Sequence, residues 1–261
     1  MFRFVGKFLG LLLLLIGCSD IPRDNPLDPA NKNSFTQPVI LVEGFINTAP
    51  ENPYVNYSTW AIEGMEKITQ IYKEQILIAE YHRDVNGYDD PYNSEVTSQK
   101  FTQIQDSYIA EDDPVPRGVP DVFINGQEKR ISGASSSTSV LTEATPVLDK
   151  LTAQQNYYLI QPRVETTGGD LQIGCLIAAL GNRTGADLKM RLLFVKDMEQ
   201  PFLHHVVQDV SPLKSIGDLK KGSYKEVDFD PVANTGKFDY IIYVLYDSQG
   251  KNVLQTVKEN L

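Results

Sequence analysis

The sequence predicts a mixed α/β domain followed by an antiparallel β-sandwich of immunoglobulin-like type, and three observations carry that reading. The stretch PVILVEGFINTAPENPYVNYSTWAIEGMEKITQI, from Pro38 to Ile71, is an apolar run, a polar turn and then helical periodicity, which makes a strand, a loop and a helix. Strand-like and helix-like segments keep alternating as far as Gln155. Beyond Asn156 come six strand-length apolar runs separated by Gly, Asn, Asp and Pro, with no helical pattern between them. A chain of 261 residues accommodates one large domain or two modest ones. The expected division is 38–155 for the α/β part and 156–261 for the sandwich.

A separate device precedes both. Arg3 and Lys7 make a positive start, Leu11 to Ile16 an apolar core, and Leu15-Ile16-Gly17-Cys18 closes it. The apolar run is too short for a spanning helix, and residues 1–17 read as a signal peptide. The closing tetrad resembles a bacterial lipobox. That resemblance implies cleavage before Cys18, diacylglycerol and an acyl chain (a palmitate-type modification) on Cys18, and a lipid-anchored protein of the bacterial cell envelope, with Ser19 suited to the outer membrane. The alternative is an ordinary signal peptide with a chance cysteine. Several acyl chains together anchor stably, whereas one is marginal. Residues 18–37, rich in Pro, Asn and Asp, form the tether.

The elements come in order. VILV from Val39 is a buried strand, and Asn52-Pro53 offers a helix start before Val55, Ile62, Met65, Ile68 and Tyr72 recur at helical spacing. Gln75 to Tyr81 is a second strand, and Ser94 to Tyr108 a helix with Ser94 as cap and Val96, Phe101, Ile104 and Tyr108 near one face. Asp121 to Ile124 is a strand, Asn125-Gly126 a hairpin signal, and Gln127 to Ile131 its return. A flexible serine loop then leads to a helix from about Val140 to Gln154, which Pro146 kinks or starts. Strand, helix, strand, helix, strand, strand, helix is the order of a thioredoxin-like domain.

Specific residues extend that likeness. LVEGFINTAPENPY resembles the opening motif of the thioredoxin-like lipoproteins named for a twenty-eight-kilodalton outer-membrane protein, in which a strand with Glu and Phe enters a Cys-x-x-Cys-Pro loop. Glu43 and Phe45 match that pattern; Pro50 and Pro53 stand at the two cysteine positions, and Tyr54 replaces the following proline. Arg117-Gly118-Val119-Pro120 is similar to the cis-proline turn facing the thioredoxin site, and VFING (122–126) to the strand and turn after it. FLHHVVQDV and FDYIIYVLYDSQGKNVLQTV are similar to the family's last strands. The resemblance runs from Val39 to the C-terminus. It implies an N-terminal thioredoxin-like domain and a C-terminal β domain, and it supplies no activity.

Chemistry is then constrained by what the loop holds. A redox thiol works at a helix N-terminus that stabilises its thiolate, and a second thiol resolves the mixed disulfide; proline does neither. Only Cys18 and Cys175 exist. With Cys18 lipidated, no internal disulfide can form. Cys175 lies in the apolar run Ile173 to Leu180, where a structural cysteine is the default and a single-thiol peroxidase the alternative.

Other constellations are weaker. The chain has 24 Lys and Arg against 34 Asp and Glu, and losing Arg3 and Lys7 leaves 22 against 34, a balance of −12. With no basic block, nucleic acid is excluded as a partner. His204 and His205, as neighbours on a strand, would point to opposite faces and not share a metal. His82 comes after the second strand and reads as structural. Asp84, Asn86, Asp89 and Asp90 surround Gly87 without calcium-loop spacing, so a solvated acidic loop is set against a calcium site. No nucleophile elbow, phosphate loop or dinucleotide fingerprint is present.

The expectation is therefore a non-enzymatic envelope lipoprotein, with no catalytic residue, cofactor or metal, presenting a structural or binding surface to an envelope protein or peptide. The narrower alternative is a groove at Asn52, Tyr54, Val119 and Pro120 that holds a peptide or small ligand.

Overall fold

A computed structural model describes residues 34–85, 87–180, 184–198, 203–233 and 236–261. The expected signal peptide, Cys18 and most of the tether lie outside the described residues. Among those described, no helix is long and apolar enough to cross a membrane.

The first strand, β1 (Ile40–Ile46), is buried along its whole length and organises the first half of the chain. A strand covered on both faces reads as a continuous apolar run, which is why VILV shows no alternation. It pairs in parallel with β2 (Ile76–His82) and antiparallel with β3 (Asp121–Ile124), which pairs with β4 (Lys129–Ser132). Asn125 and Gly126 both adopt positive φ, 46° and 68°, as the tight turn between β3 and β4 requires.

Alternate residues of β1 serve two cores. Ile40, Val42 and Ile46 pack with Ala61, Ile62, Met65 and Ile68 of α1 (Val55–Tyr72) and with Val140, Ala144 and Leu148 of α3 (Ser137–Thr152). A side chain at Gly64 would place its Cβ 2.6 Å from that of Val140, so the glycine sets how closely α1 and α3 approach. Leu41 and Phe45 face the other way, toward Phe101, Ile104 and Tyr108 of α2 (Glu95–Tyr108). Burying each such large apolar side chain contributes about 1.5–3 kcal/mol.

The serine segment differs from its reading as a flexible loop. Ser136 caps α3 through a reciprocal pair with Ser139, so the helix starts at Ser137 and continues through Pro146. Local capping hydrogen bonds outweigh the low helix propensity of serine. Ser94 caps α2 as expected, whereas Val96 is 67% exposed and lies off the buried face.

The second half is built of strands: β5 (Tyr158–Thr167), β6 (Asp170–Ala179), β7 (Gly185–Lys196), β8 (Val206–Val210), β9 (Lys214–Leu219), β10 (Tyr224–Asp228), β11 (Val232–Ala233), β12 (Tyr240–Tyr246) and β13 (Val253–Asn260). Strands β5, β6, β10 and β11 form an antiparallel sheet. The others join the first half in one sheet of order β13-β12-β7-β8-β2-β1-β3-β4, with β9 beside β7. The junction is the parallel step between β8 and β2, where the Glu80 amide donates to the His205 carbonyl at 2.8 Å.

Strands β7 and β12 also serve two cores. Leu188, Met190, Leu192, Ile241, Tyr243 and Leu245 pack against the smaller sheet, while Leu193, Val195, Ile242, Val244 and Tyr246 share the α2 core with β1 and β2. The long sheet thus curls around α2 until β13 meets the start of β1, where the Thr256 hydroxyl donates to the Val39 carbonyl at 2.9 Å. Strands on both sides of residue 155 share this one sheet. Strands β9, β11 and β13 fall outside the six apolar runs, because each carries too few consecutive apolar residues.

Candidate functional site

The loop between β1 and α1 is held by side chains rather than by the helix. Asn47, fully buried, donates from Nδ2 to the carbonyls of Arg83 (2.7 Å) and Tyr88 (3.0 Å). Its Oδ1 accepts from Asn52 Nδ2 (2.8 Å) and from the Ala49 amide (3.3 Å), and its own amide donates to Ser58 Oγ. Asn52 Oδ1 in turn accepts from the Tyr54 amide at 2.9 Å. Asn52 is therefore a buried turn residue and not the first cap of α1, which begins at Val55 with Tyr54 in the cap position. A local side-chain to backbone bond competes successfully with helix initiation here.

That shift has a chemical consequence. Pro50 and Pro53 are exposed in the turn, and Pro50 lies five residues before the first helical residue. The free amides and positive dipole end of α1 begin beyond both positions.

Asp90 fixes the other side of the loop. Its carboxylate accepts from the Thr48 amide (2.5 Å) and hydroxyl (3.1 Å) and from the Tyr92 amide (2.9 Å), and it meets His82 Nδ1 at 3.0 Å. Burial opposes its ionisation, but the His82 contact and the two amides hold it below the usual carboxylate range. The expectation of a solvated acidic loop is corrected at this residue, which is 4% exposed. Asp84 also bonds inward, to the Asp90 amide, and Asn86 lies outside the described residues. Among the described residues no group of three potential ligands is placed to hold a metal ion.

Between these supports lies a cleft of about 440 Å³ lined by Asn52, Tyr54, Tyr57, Arg83, Asp84, Val85, Tyr88, Arg117, Gly118 and Val119. Three of the four groove residues read from the sequence line it; Pro120 is buried behind Val119, and the peptide bond joining them is cis. Tyr54 and Tyr57 stack at 6.1 Å, and Trp60 meets Tyr57 edge-on at 5.5 Å. Tyr54 is 63% exposed, large for an aromatic ring at a cleft mouth.

The opposite wall is clamped. Arg130 donates to Asp121 (2.7 Å) and to the carbonyls of Val115 and Pro116, while Gln105 Nε2 donates to the Gly118 carbonyl (2.8 Å) and to Asp121. Arg83 reaches Gln105 and Thr102 on α2. The backbone of Val119 makes no hydrogen bond among the described residues.

The remaining thiol is far from this chemistry in kind. Cys175 is 2% exposed, lies 3.6 Å from Met190 Sδ, and burial pushes its pKa up to about 12. The two histidines before β8 differ from their expected strand placement, since they occupy a bend. His204 meets Asp197 at 3.1 Å; His205 bonds Tyr240 at 2.8 Å, stands 3.5 Å from Glu66, and is pushed down to about 4, chiefly by burial.

Two buried carboxyls escape the sequence reading as polar centres. Glu80 is fully buried, neither of its carboxylate oxygens has a hydrogen-bond partner, and His82 Nε2 lies 4.0 Å away; burial, then the charge of Glu66, pushes it up to about 8. Glu43 accepts from the Tyr81 hydroxyl at 2.8 Å inside the curled sheet, and burial pushes it up to about 7. Their signal is an acid inside each apolar strand, VILVEGFI and QILIAEYH, masked because such runs read as core.

No protein-family model matches this sequence, and no curated relative does. Solved structures do match in shape. HBP35 of Porphyromonas gingivalis is similar with a TM-score of 0.60 and 11% identity, over 86% of this chain and 76% of that one. AGR_C_4864 from Agrobacterium tumefaciens is similar with a TM-score of 0.52 and 17% identity, over 85% and 95%. At those identities the likeness is one of fold.

Proposed function

We propose that this chain is a lipid-anchored protein of the bacterial cell envelope whose thioredoxin-like half has lost redox chemistry and keeps its cleft as a binding surface. The finer architecture in this reading is a thioredoxin-like unit followed by an immunoglobulin-like sandwich. The helices α1 and α3 on one face of β1–β4 and α2 on the other support the first half, and the antiparallel sheets packed through β6, β7 and β12 support the second.

One observation carries the functional reading. The loop where thiols would stand is rigidly held by Asn47, Asn52 and Asp90, yet contains prolines, and it frames an open cleft with exposed aromatic rings. Large amphipathic rings such as Tyr54 and Tyr57 supply contact area at low entropic cost, as binding surfaces do. An unpaired backbone at Val119 suits an extended peptide, which binds through main-chain hydrogen bonds. The protein acts as no enzyme in this account, and its ligand is a peptide segment of an envelope partner.

Selection of peptides from a random displayed library tests this. Enriched peptides should bind the wild-type chain and lose binding to a Tyr54→Asp, Val119→Lys variant that keeps its circular dichroism spectrum. Equal binding to the variant, or no enrichment, removes the cleft from the account.

A further inference from the structure

Buried polar groups run in a line from the β2–β8 junction to the loop that frames the cleft. Glu80 and His82, two residues apart on β2, lie on the face of the sheet that α1 covers, and both are fully buried. No side chain donates to either carboxylate oxygen of Glu80, and His82 Nε2, 4.0 Å from it, has no hydrogen-bond partner. The other ring nitrogen, Nδ1, meets Asp90 at 3.0 Å, and Asp90 accepts from the Thr48 amide and hydroxyl. Thr48 belongs to the loop whose Asn52 and Tyr54 line the cleft.

The proton positions follow from these contacts. Asp90 is held ionised, so the ring proton of His82 sits on Nδ1 and Nε2 is left as an acceptor. Glu80 can donate to that acceptor when it carries a proton, after a small change of rotamer. Its surroundings favour this form. Glu66 of α1 and Asp197 after β7 add negative charge beside it, while the His205 amide opposes them. Around these, His205 stands 3.5 Å from Glu66 and bonds Tyr240, His204 meets Asp197, and Lys258 of β13 lies 3.8 Å over the Tyr240 ring. On the far side Asp84 bonds the Asp90 amide. With a pKa pushed up to about 8, chiefly by burial, Glu80 keeps its proton at neutral pH and loses it as pH rises through that value.

We propose that Glu80, His82 and Asp90 form a proton-sensing relay that positions the Thr48 loop, so that the cleft binds its peptide while Glu80 is protonated and weakens when that proton leaves to solvent. The consequence for the peptide rests on the cleft reading given above; the relay itself does not. Loss of the proton sets the Nε2 lone pair against a carboxylate. The imidazole is rigid, so a turn that relieves this repulsion also takes Nδ1 from Asp90 and loosens its hold on the Thr48 amide.

Nuclear magnetic resonance of the isotope-labelled chain, titrated from about pH 6 to about pH 9.5, tests the relay without any ligand. The Thr48 and Tyr92 amides should shift with the midpoint of the Glu80 carboxyl. Glu80→Gln, whose amide donates permanently, should abolish that step. In His82→Gln the Glu80 carboxyl should still titrate while the two amides no longer follow it, whereas a purely electrostatic effect across the core would survive. A peptide enriched at the cleft should bind about tenfold more weakly at about pH 9 than at about pH 6.5, the fraction left protonated one unit above the midpoint, and equally at both in Glu80→Gln. Circular dichroism confirms folding, and if one variant does not fold the other decides. Amides that stay still, or that follow Glu80 in folded His82→Gln, overturn the relay. A peptide affinity independent of pH while the amides move overturns its control of the cleft.

Discussion

The loop before α1 and the chamber around Arg191 of β7, bordered by α2 and the β8–β9 segment, are opposite solutions for a polar group inside a fold. At the loop, Asn47, Asn52 and Asp90 have their hydrogen-bonding capacity taken up by neighbouring backbone and side chains, and the result is a rigid frame with little reactive character. At the chamber, Arg191 keeps a buried Nε without a partner and forms no ion pair among the described residues, and its charge is held by the Tyr246 hydroxyl and by Tyr108, Tyr81 and Glu43 around it. Specific hydrogen bonds fix geometry at the first, whereas a diffuse surround of polar groups supports charge at the second. The cleft beside the loop therefore presents shape and aromatic surface, and the chamber presents charge.

The sharpest way to break this comparison is to remove one group from each. Asp90→Ala strips acceptors from the Thr48 and Tyr92 amides and from His82, and should cost about 3 kcal/mol or more in urea unfolding. Arg191→Gln should cost less, about 1–2 kcal/mol, because it removes the hydrogen bond to the Tyr246 hydroxyl and the ring contact but no ion pair. Similar losses in the two variants would erase the distinction.

The pH dependence sharpens it next. Glu80 and Glu43 have folded pKa values of about 8 and about 7, above their ordinary 4.5, so the folded state binds their protons more tightly than the unfolded chain does. Their contribution is complete below the unfolded value and is lost as pH rises through the folded values. Each such group loses about 1.4 kcal/mol per pH unit inside its window. His205, lowered from 6.5 to about 4, has the opposite slope, its contribution being lost as pH falls through that range. Between pH 6.5 and 8 the carboxyls act without that opposition, and the melting temperature should fall as pH rises. Glu80→Gln should flatten most of that fall, and an unchanged slope in this variant would refute the assignment.

Smaller effects are expected at the cleft surface. Tyr54→Asp should alter stability by no more than about 0.5 kcal/mol, since the ring is mostly exposed, and differential scanning calorimetry would reveal a larger loss. A Pro50→Cys, Pro53→Cys variant should gain no insulin-reductase activity. The leading thiol, at position 50, would stand five residues before the first helical residue, away from the amides of α1 that lower a thiol pKa.

Much of the fold is legible in the sequence because apolar runs and caps are local. The strands β1, β2 and β3, the Ser94 cap and the Asn125-Gly126 turn arise from patterns within a few residues. The start of α1 is misplaced by sequence because Asn52 bonds to Asn47, and that buried turn looks the same in sequence as a helix cap. Asp90 reads as solvated because its partners Thr48 and His82 are distant in sequence. The curling of one sheet across both halves rests on contacts distant in sequence, β2 with β8 on one side and the start of β1 and the β3–β4 turn with β13 on the other, which no local period encodes. Arg191 carries no sequence signal for the same reason, since its surroundings come from α2 and the β8–β9 connection.

The central claim, a cleft kept without thiol chemistry, meets its most direct test in dithiothreitol-driven insulin reduction monitored by turbidity. The purified chain should leave the rate at that of dithiothreitol alone, with Cys175→Ser indistinguishable from wild type. A protein-dependent acceleration that disappears in Cys175→Ser would contradict the account.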